Sequence, residues 1–322
     1  MKTLFLGSGA FGLPTLKALI QTGHEVAMVV TQPDKPAGRG RHCTPTPIAA
    51  YAAEIGLPVL KTANVNNPQI LAGLRAIVPD IFVVIAFGQK IADAVLGMAP
   101  HGGVNLHASL LPAFRGAAPI QRAILSGEHT TGVSVIRVTN IMDGGEVLGQ
   151  IPTPIGESET AGELHDRLAE LGAPLMQQVL REIETQGVRA AIQDATRISP
   201  APKLSKDMAH VDFAQCARQV SCRIRGLSPW PGCLADLLTP DGEVRAKVSI
   251  LKCREVSTGD PSGKPGEVLT GLSIACGTGA IEILSLQPVG KRPMDMRSLA
   301  NGYGIKAGWR LKSHPPAAQG AP

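Results

Sequence analysis

"LFLGSGAFGLPTLKALI", residues 4–20, places a short apolar run before a glycine-rich turn and a longer helical pattern. This order of strand, turn and helix is typical of the first unit of a parallel α/β sheet. Gly7, Gly9 and Gly12 also have the G-x-G-x-x-G spacing that is found where such a sheet binds a dinucleotide. The stretch therefore predicts the fold class and raises the question of whether NAD is a ligand.

The second strand argues against a dinucleotide site. Such a site needs an acidic residue at the end of that strand to hold the ribose hydroxyls. The run "EVAMVV", residues 25–30, continues instead into Thr31 and Gln32, and Asp34 comes only after a proline that favours a turn. We therefore predict no NAD, and we interpret Gly9 and Gly12 as residues of a tight turn with close helix packing.

The alternation of strands and helices continues to about residue 185 and then changes character. Residues 162–187 carry leucines at helical spacing and predict a long amphipathic helix. Beyond a Pro-containing polar segment, short strand-like runs separated by Gly, Pro and Asp predict a small β-barrel. We predict an α/β fold whose N-terminal domain is a doubly wound, mostly parallel sheet and whose C-terminal domain is an OB-like barrel. The predicted parts are a catalytic domain at 1–187, a linker at 188–207, a barrel at 208–312 and a disordered tail at 313–322.

Composition narrows the possible functions. A chain of 322 residues with 44% hydrophobic content suits two domains. We find neither an apolar run of membrane-spanning length nor a secretory signal, so we expect no membrane association and a cytoplasmic location. The six cysteines include no C-x-x-C pair, and we expect no metal. Only ten residues are aromatic, which disfavours extensive stacking on single-stranded bases.

Charge is uneven along the chain. Residues 1–205 contain 16 Lys and Arg against 16 Asp and Glu, whereas residues 206–322 contain 15 against 10. The whole formal excess of +5 therefore lies in the C-terminal part. This distribution fits an anionic partner that contacts the second domain, and it fits a solvated basic surface equally well.

The chemistry is concentrated in "GGVNLHASLLPAFRGAAPIQRAI", residues 102–124. A strand here places Asn105 and His107 on one face at the carboxyl end, where open α/β sheets bind ligands. Further on, "RVTNIMDGGEVLGQ" places Asp143 before two glycines in a turn. A single histidine at a strand end is more often structural, and an Asp before Gly-Gly is usually a turn former. The three residue types together predict a polar catalytic site.

At these residues the sequence resembles a known family. "NLHASLLPAFRG", "AAPIQRAI", "TGVSV" and "MDGGEVL" are similar to the 10-formyltetrahydrofolate-dependent formyltransferases. The resemblance implies 10-formyltetrahydrofolate as formyl donor and Asn105, His107 and Asp143 as catalytic residues. Met142 and Gly144 depart from the Leu and Thr that usually flank the acid. The resemblance also implies a set of folate-binding residues, namely Ser109, Leu110, Leu111, Pro112, Phe87 and Gly88.

Other segments resemble the members of this family that act on methionine carried by initiator tRNA. They are "TQPDKPAGRGRHCTPTPIAAYA", "APKLSKDMAHVDF", "LSPWPG" and "LSLQPVGKRPM", and they extend over both predicted domains. The alternatives are a member acting on glycinamide ribotide or an amino sugar nucleotide, a non-catalytic RNA-binding protein, and a dehydrogenase. We expect a monomer, and a mobile loop at 32–47 that guides the tRNA end. The residues implied in tRNA binding are Lys35, Arg39, Arg41, His42, Lys203 and Lys206.

Overall fold

The computed structural model describes residues 1–37, 42–256 and 263–313. The chain divides into two compact units. One comprises Met1–Gly116, Gly132–Thr153 and His165–Ala201, and the other comprises Ala117–Thr131, Pro154–Leu164 and Pro202–Pro322. In chain order the elements are β1 (Lys2–Gly7), α1 (Leu13–Gln21), β2 (Glu25–Thr31), β3 (Lys35–Ala37), β4 (His42–Thr44), α2 (Pro47–Glu54), β5 (Val59–Lys61), α3 (Pro68–Ile77), β6 (Ile81–Ile85), α4 (Asp93–Leu96), β7 (Gly103–His107), β8 (Arg115–Gly116), α5 (Pro119–Leu125), β9 (Thr130–Arg137), β10 (Val147–Pro154), α6 (Ala161–Glu184), β11 (Pro200–Ala201), α7 (Ala217–Gly226), β12 (Cys233–Leu238), β13 (Val244–Val256), β14 (Ile274–Ala275), β15 (Ala280–Pro288), α8 (Met296–Tyr303) and β16 (Arg310–Lys312).

The main sheet has seven strands within the described ranges, in the order β10-β9-β7-β6-β1-β2-β5. β1 pairs in parallel with both β2 and β6, and the parallel pairing continues outward to β5 and β7. β9 is antiparallel to β7. The order runs outward from β1 in both directions, so the predicted doubly wound, mostly parallel sheet is confirmed.

The central strands are apolar because the sheet buries both of their faces. Leu4, Phe5 and Leu6 of β1 are fully buried, and all five residues of β6 are buried. Strands covered on both sides show continuous apolar runs rather than an alternating pattern, which made these strands recognisable in the sequence.

The glycines after β1 make packing contacts. The backbone N–H of Gly9 donates to the carbonyl of Ala86 beyond β6, at 3.4 Å. A Cβ atom on Gly12 would lie 3.2 Å from the Phe5 ring. At the end of β2, the Gln32 amide donates to the carbonyls of Phe87 and Gly88. These contacts agree with the interpretation of the glycines as turn and packing residues.

The second unit contains an antiparallel sheet with the order β14-β15-β13-β12-β16. Its two edges are joined by a short segment in which Glu267 bridges Arg310 and Val268 bridges Ile274. The Val268 N–H donates to the Trp309 carbonyl at 2.7 Å. The sheet is thereby nearly closed, which confirms the predicted C-terminal β-barrel.

The predicted long helix is α6, and it ends at Glu184. After it, Ala191 bridges Val147 and β11 pairs in parallel with β8, so residues 191–201 are attached to the first unit. The domain boundaries at residues 187 and 208 stay predictions. From His314 onward, the tail that we predicted to be disordered lies outside the described residues. Over the ranges described, no helix is both long and apolar enough to span a membrane.

Candidate active site

The predicted Asn and His lie at the carboxyl edge of the parallel strands. Gly7 in β1 is in register with Ile85 in β6, and Val84 in β6 is in register with Asn105 in β7. The ends of these three strands therefore meet at one edge. This is the edge at which open α/β sheets bind ligands.

His107 and Asp143 form the centre of the site. The Nδ1 atom of His107 lies 3.6 Å from Asp143 Oδ1, and the two side chains are 7% and 14% exposed. The other carboxylate oxygen of Asp143 accepts a hydrogen bond from the Gly116 N–H at 2.8 Å. The His107 Nε2 atom lies 2.9 Å from the Phe114 carbonyl. Backbone groups of residues 114–116 thus hold both the imidazole and the carboxylate.

The Phe114 carbonyl determines where the imidazole carries its proton. A carbonyl oxygen only accepts hydrogen bonds, so Nε2 of His107 is the protonated nitrogen in this contact. Nδ1 is then the ring atom that can take up a further proton, and Asp143 lies beside it. At 3.6 Å this pair is too long for a strong hydrogen bond but close enough for the carboxylate to stabilise an imidazolium.

Asn105 provides a hydrogen-bond donor beside this pair. It lies two residues before His107, which places the two side chains on the same face of β7. Its side chain is partly exposed, and within the described residues no partner for its amide is found. The amide can therefore donate to a substrate oxygen.

The segment with the predicted folate-binding residues is fixed by hydrogen bonds. Ser109 is fully buried and donates to the Ala113 carbonyl at 2.6 Å. The Leu111 N–H donates to Ser134 Oγ, and its peptide bond to Pro112 is cis. Leu111 is buried as well, whereas Leu110 and Pro112 are partly exposed. Only Leu110 and Pro112 of the four present accessible side chains to a ligand.

The other two predicted folate-binding residues follow β6. The Phe87 side chain is buried, and Gly88 is exposed. Their carbonyls accept hydrogen bonds from the Gln32 amide, and the Gln32 Oε1 atom accepts from Lys35 Nζ at 2.6 Å. Gln32 thus connects the Phe87–Gly88 turn to the start of the loop at 32–47.

The predicted tRNA-binding residues fall into three groups. Lys35 and His42 are exposed in the β3–β4 hairpin of the first unit. Arg39 and Arg41 lie outside the described residues, so the mobility predicted for this part of the loop stays a prediction. Lys203 and Lys206 are exposed in the second unit.

Sequence reasoning missed the residues that hold the site together. Phe114 and Gly116 act through backbone atoms, and Gln193 donates to the carbonyls of Asp143 and Gly145. Backbone contacts leave no residue-type signal, although the glycine after Arg115 indicates a tight approach. Gln193 lies in a polar stretch with no periodicity that could single it out. Among the described residues, no group of three or more His, Cys, Asp or Glu side chains could hold a metal ion.

Comparison with known protein families gives the class of protein to which this fold belongs. The family described as "Formyl transferase" matches residues 1–180, and "Formyl transferase, C-terminal domain" matches residues 203–304. The chain belongs to this formyl transferase family. It is 40% identical over 314 residues to the methionyl-tRNA formyltransferase of Methylococcus capsulatus, covering 97% of this chain and 99% of that protein. It is 38% identical over 327 residues to that of Symbiobacterium thermophilum, covering 100% and 98%.

Solved structures show the same fold at lower identity. A sugar 3N-formyl transferase, WlaRD, crystallised in the presence of dTDP and 5-N-formyl-THF, superimposes with a TM-score of 0.63 at 17% identity. The superposition covers 91% of this chain and 99% of that one. An N-formyltransferase from Helicobacter canadensis, in complex with folinic acid and dTDP-3-aminofucose, gives a TM-score of 0.61 at 16% identity, covering 87% and 97%. Folate ligands thus occur among its structural neighbours.

Proposed function

We propose that this chain transfers the formyl group of 10-formyltetrahydrofolate to the α-amino group of methionyl-initiator tRNA. The similarity over nearly the full length to methionyl-tRNA formyltransferases supports this acceptor. The observation that carries the chemistry is the His107–Asp143 pair, held by backbone groups beside the accessible amide of Asn105.

The reaction needs neither a covalent enzyme intermediate nor a redox step. The methionyl α-ammonium loses one proton, its nitrogen forms a bond to the formyl carbon, and the same nitrogen then loses a second proton, which passes to N10 of the folate. The bond between that carbon and N10 of the folate then breaks, and N10 leaves with a proton. One proton is released overall. Negative charge develops on the formyl oxygen when the tetrahedral intermediate forms.

Each of the three side chains has a role in this scheme. The Asn105 amide donates to the formyl oxygen as it becomes negative; loss of one such donor typically costs about 10²- to 10³-fold in rate. His107 takes the ammonium proton at Nδ1, because its Nε2–H is bound to the Phe114 carbonyl. Asp143 stabilises the imidazolium that results. We assign the Nδ1–H formed in this way as a second hydrogen-bond donor to the formyl oxygen.

The remaining predictions about partners belong to the same proposal. The partly exposed Leu110 and Pro112 and the Phe87–Gly88 turn are assigned to the folate. Lys35, His42 and the two arginines between them are assigned to the acceptor end of the tRNA. Lys203 and Lys206 are assigned to its phosphates, and Lys206 belongs to the part of the chain after residue 205 that carries the excess of basic residues. A cytoplasmic monomer is the expected working state.

A direct assay tests the proposal. The purified chain is incubated with 10-formyltetrahydrofolate labelled in the formyl group and with each of three acceptors: methionyl-initiator tRNA, glycinamide ribotide and a dTDP-amino sugar. Label should enter methionyl-tRNA and survive deacylation as N-formylmethionine. A higher kcat/KM for glycinamide ribotide or for the dTDP-amino sugar than for methionyl-tRNA would identify that compound as the acceptor instead. Absence of label in all three would refute formyl transfer.

A further inference from the structure

One glutamine is turned inward in an otherwise exposed segment. Residues 189–198 are exposed throughout except Gln193, and the preceding Ile192 is 88% exposed. A polar side chain that is shielded while its apolar neighbour faces solvent needs a specific set of partners. The partners of Gln193 lie in the site described above.

Every polar atom of the Gln193 amide is engaged. Its nitrogen donates to the Asp143 carbonyl at 2.8 Å and to the Gly145 carbonyl at 2.7 Å. Its oxygen accepts from Nε and one Nη atom of Arg115, at 3.1 and 2.7 Å. The orientation of the amide is therefore set, since exchanging its oxygen and nitrogen would put an oxygen against two carbonyls.

Apart from the Gly116 N–H on the Asp143 carboxylate, the backbone hydrogen bonds of the loop that carries Asp143 are local, from the Arg137 N–H to the Glu146 carbonyl and from the Gly144 N–H to the Ile141 carbonyl. Asp143 has a φ of 50°, a left-handed conformation that non-glycine residues seldom adopt. Ile141 and Met142 are 61% and 75% exposed, so apolar packing contributes little there. A Cβ atom on Gly145 would lie 1.9 Å from the Arg137 carbonyl, so the backbone folds back on itself at this point. The two hydrogen bonds from Gln193 span this strained part of the loop.

Gln193 also connects the two segments that hold the reacting groups. Its partner Arg115 lies between Phe114, which accepts from His107, and Gly116, which donates to the Asp143 carboxylate. Gln193 therefore joins the backbone of the Asp143 loop to residues 114–116, which orient the His107 imidazole.

We propose that Gln193 is a positioning residue that sets the distance between the Asp143 carboxylate and His107. The inference rests on the proposed formyl transfer, because it assigns Gln193 a part in that reaction. Loss of the amide leaves two carbonyls without their donor and frees a backbone that is strained. The carboxylate then moves, and a displacement of about 1 Å at a reacting group can cost about 10²-fold in rate.

Three variants of the full chain test this role. Gln193→Ala removes all four hydrogen bonds, and Gln193→Glu keeps the size and the acceptor for Arg115 but loses both donors. Ile192→Ala is the matched control from the adjacent exposed position. In the two Gln193 variants, kcat for formyl transfer should fall about 10- to 10²-fold while KM for both substrates changes less than about threefold. The control should keep the wild-type kcat, and thermal unfolding should show that each variant is folded.

Hydrogen exchange supplies a readout that does not depend on activity. Backbone amides of residues 139–146 should exchange faster in both Gln193 variants than in the wild type and the control. An unchanged kcat in a folded Gln193→Glu variant, or a reduced kcat with unchanged exchange in this loop, would overturn the proposal. If Gln193→Ala does not fold, Gln193→Glu decides alone. If the wild type itself transfers no formyl group, the proposed function fails, and the exchange experiment still decides whether Gln193 holds the loop.

Discussion

Replacing Asp143 by Asn changes the charge of the site while keeping its shape. Asn has the same size, and its side-chain oxygen can still accept the N–H of Gly116. Its NH₂ group then faces His107 Nδ1 and donates to it. Because Nε2 is already protonated against the Phe114 carbonyl, the variant holds the imidazole neutral and removes the charge that would stabilise an imidazolium.

The size of the effect follows from the distance. Unit charges 3.6 Å apart interact by about 4.6 kcal/mol at an effective dielectric constant of about 20. Because residual solvent screens the pair, this value is an upper limit. At about 1.36 kcal/mol for each tenfold change, it corresponds to at most about 10³-fold in rate. We expect Asp143→Asn to lower kcat by about 10²- to 10³-fold, with a small change in KM.

The assay measures kcat and KM for formyl transfer to methionyl-tRNA. The control is Asp166→Asn, because Asp166 lies 2.9 Å from His165 Nδ1 but its side chain is 85% exposed. This second His–Asp pair should tolerate the change without loss of rate. A kcat for Asp143→Asn within about threefold of the wild type would refute the electrostatic role assigned to the carboxylate. Equal losses in both variants would point to a general effect of net charge.

Three further outcomes are expected. Gly116→Ala should lower the free energy of unfolding in urea by at least about 1–3 kcal/mol, because φ of Gly116 is 129° and the new Cβ would lie 2.6 Å from the Ala201 carbonyl in β11. The control Gly73→Ala, in open space on α3, should be neutral or stabilising. Burial raises the pKa of the Cys253 thiol to about 12, so iodoacetamide at pH 8 should modify the exposed Cys43 in the native chain and reach Cys253 only after unfolding; rapid native labelling of Cys253 would contradict this burial. Lys206→Ala should weaken use of methionyl-tRNA, reduce the slope of log(kcat/KM) against log[salt] by about 1 and leave the KM for folate unchanged; an unchanged slope would remove this lysine from the tRNA contacts.

Sequence alone predicted the class of fold because its main elements have strong local patterns. The central strands β1 and β6 are buried on both faces, so their apolar runs stand out from the polar turns around them. The barrel was predictable from short strands separated by turn residues. The segment that closes it was not predicted, because residues 266–268 join the two sheet edges through backbone hydrogen bonds.

The candidate site was predictable only in part, for the same physical reason. Asn105 and His107 share a strand, and the period of two along a strand is enough to place them on one face. Asp143 was joined to them by residue type and by the family resemblance rather than by spacing, since it lies 36 positions after His107 along the chain. Whether it also acts on His107 in catalysis stays a prediction that the Asn variant tests.

The supporting contacts explain why residue type was a poor guide to the rest of the site. The imidazole and the carboxylate are both oriented by backbone groups, namely the Phe114 carbonyl and the Gly116 N–H. Their positions depend on Gly116, whose close approach to Ala201 lets β8 pair with β11. Residues 193–201 thus contact the site at two points, through the Gln193 amide and through this short parallel ladder. This segment looked like a polar linker in the sequence, because hydrogen bonds to backbone atoms leave no periodic pattern, whereas in the structure it supports the segments that hold His107 and Asp143.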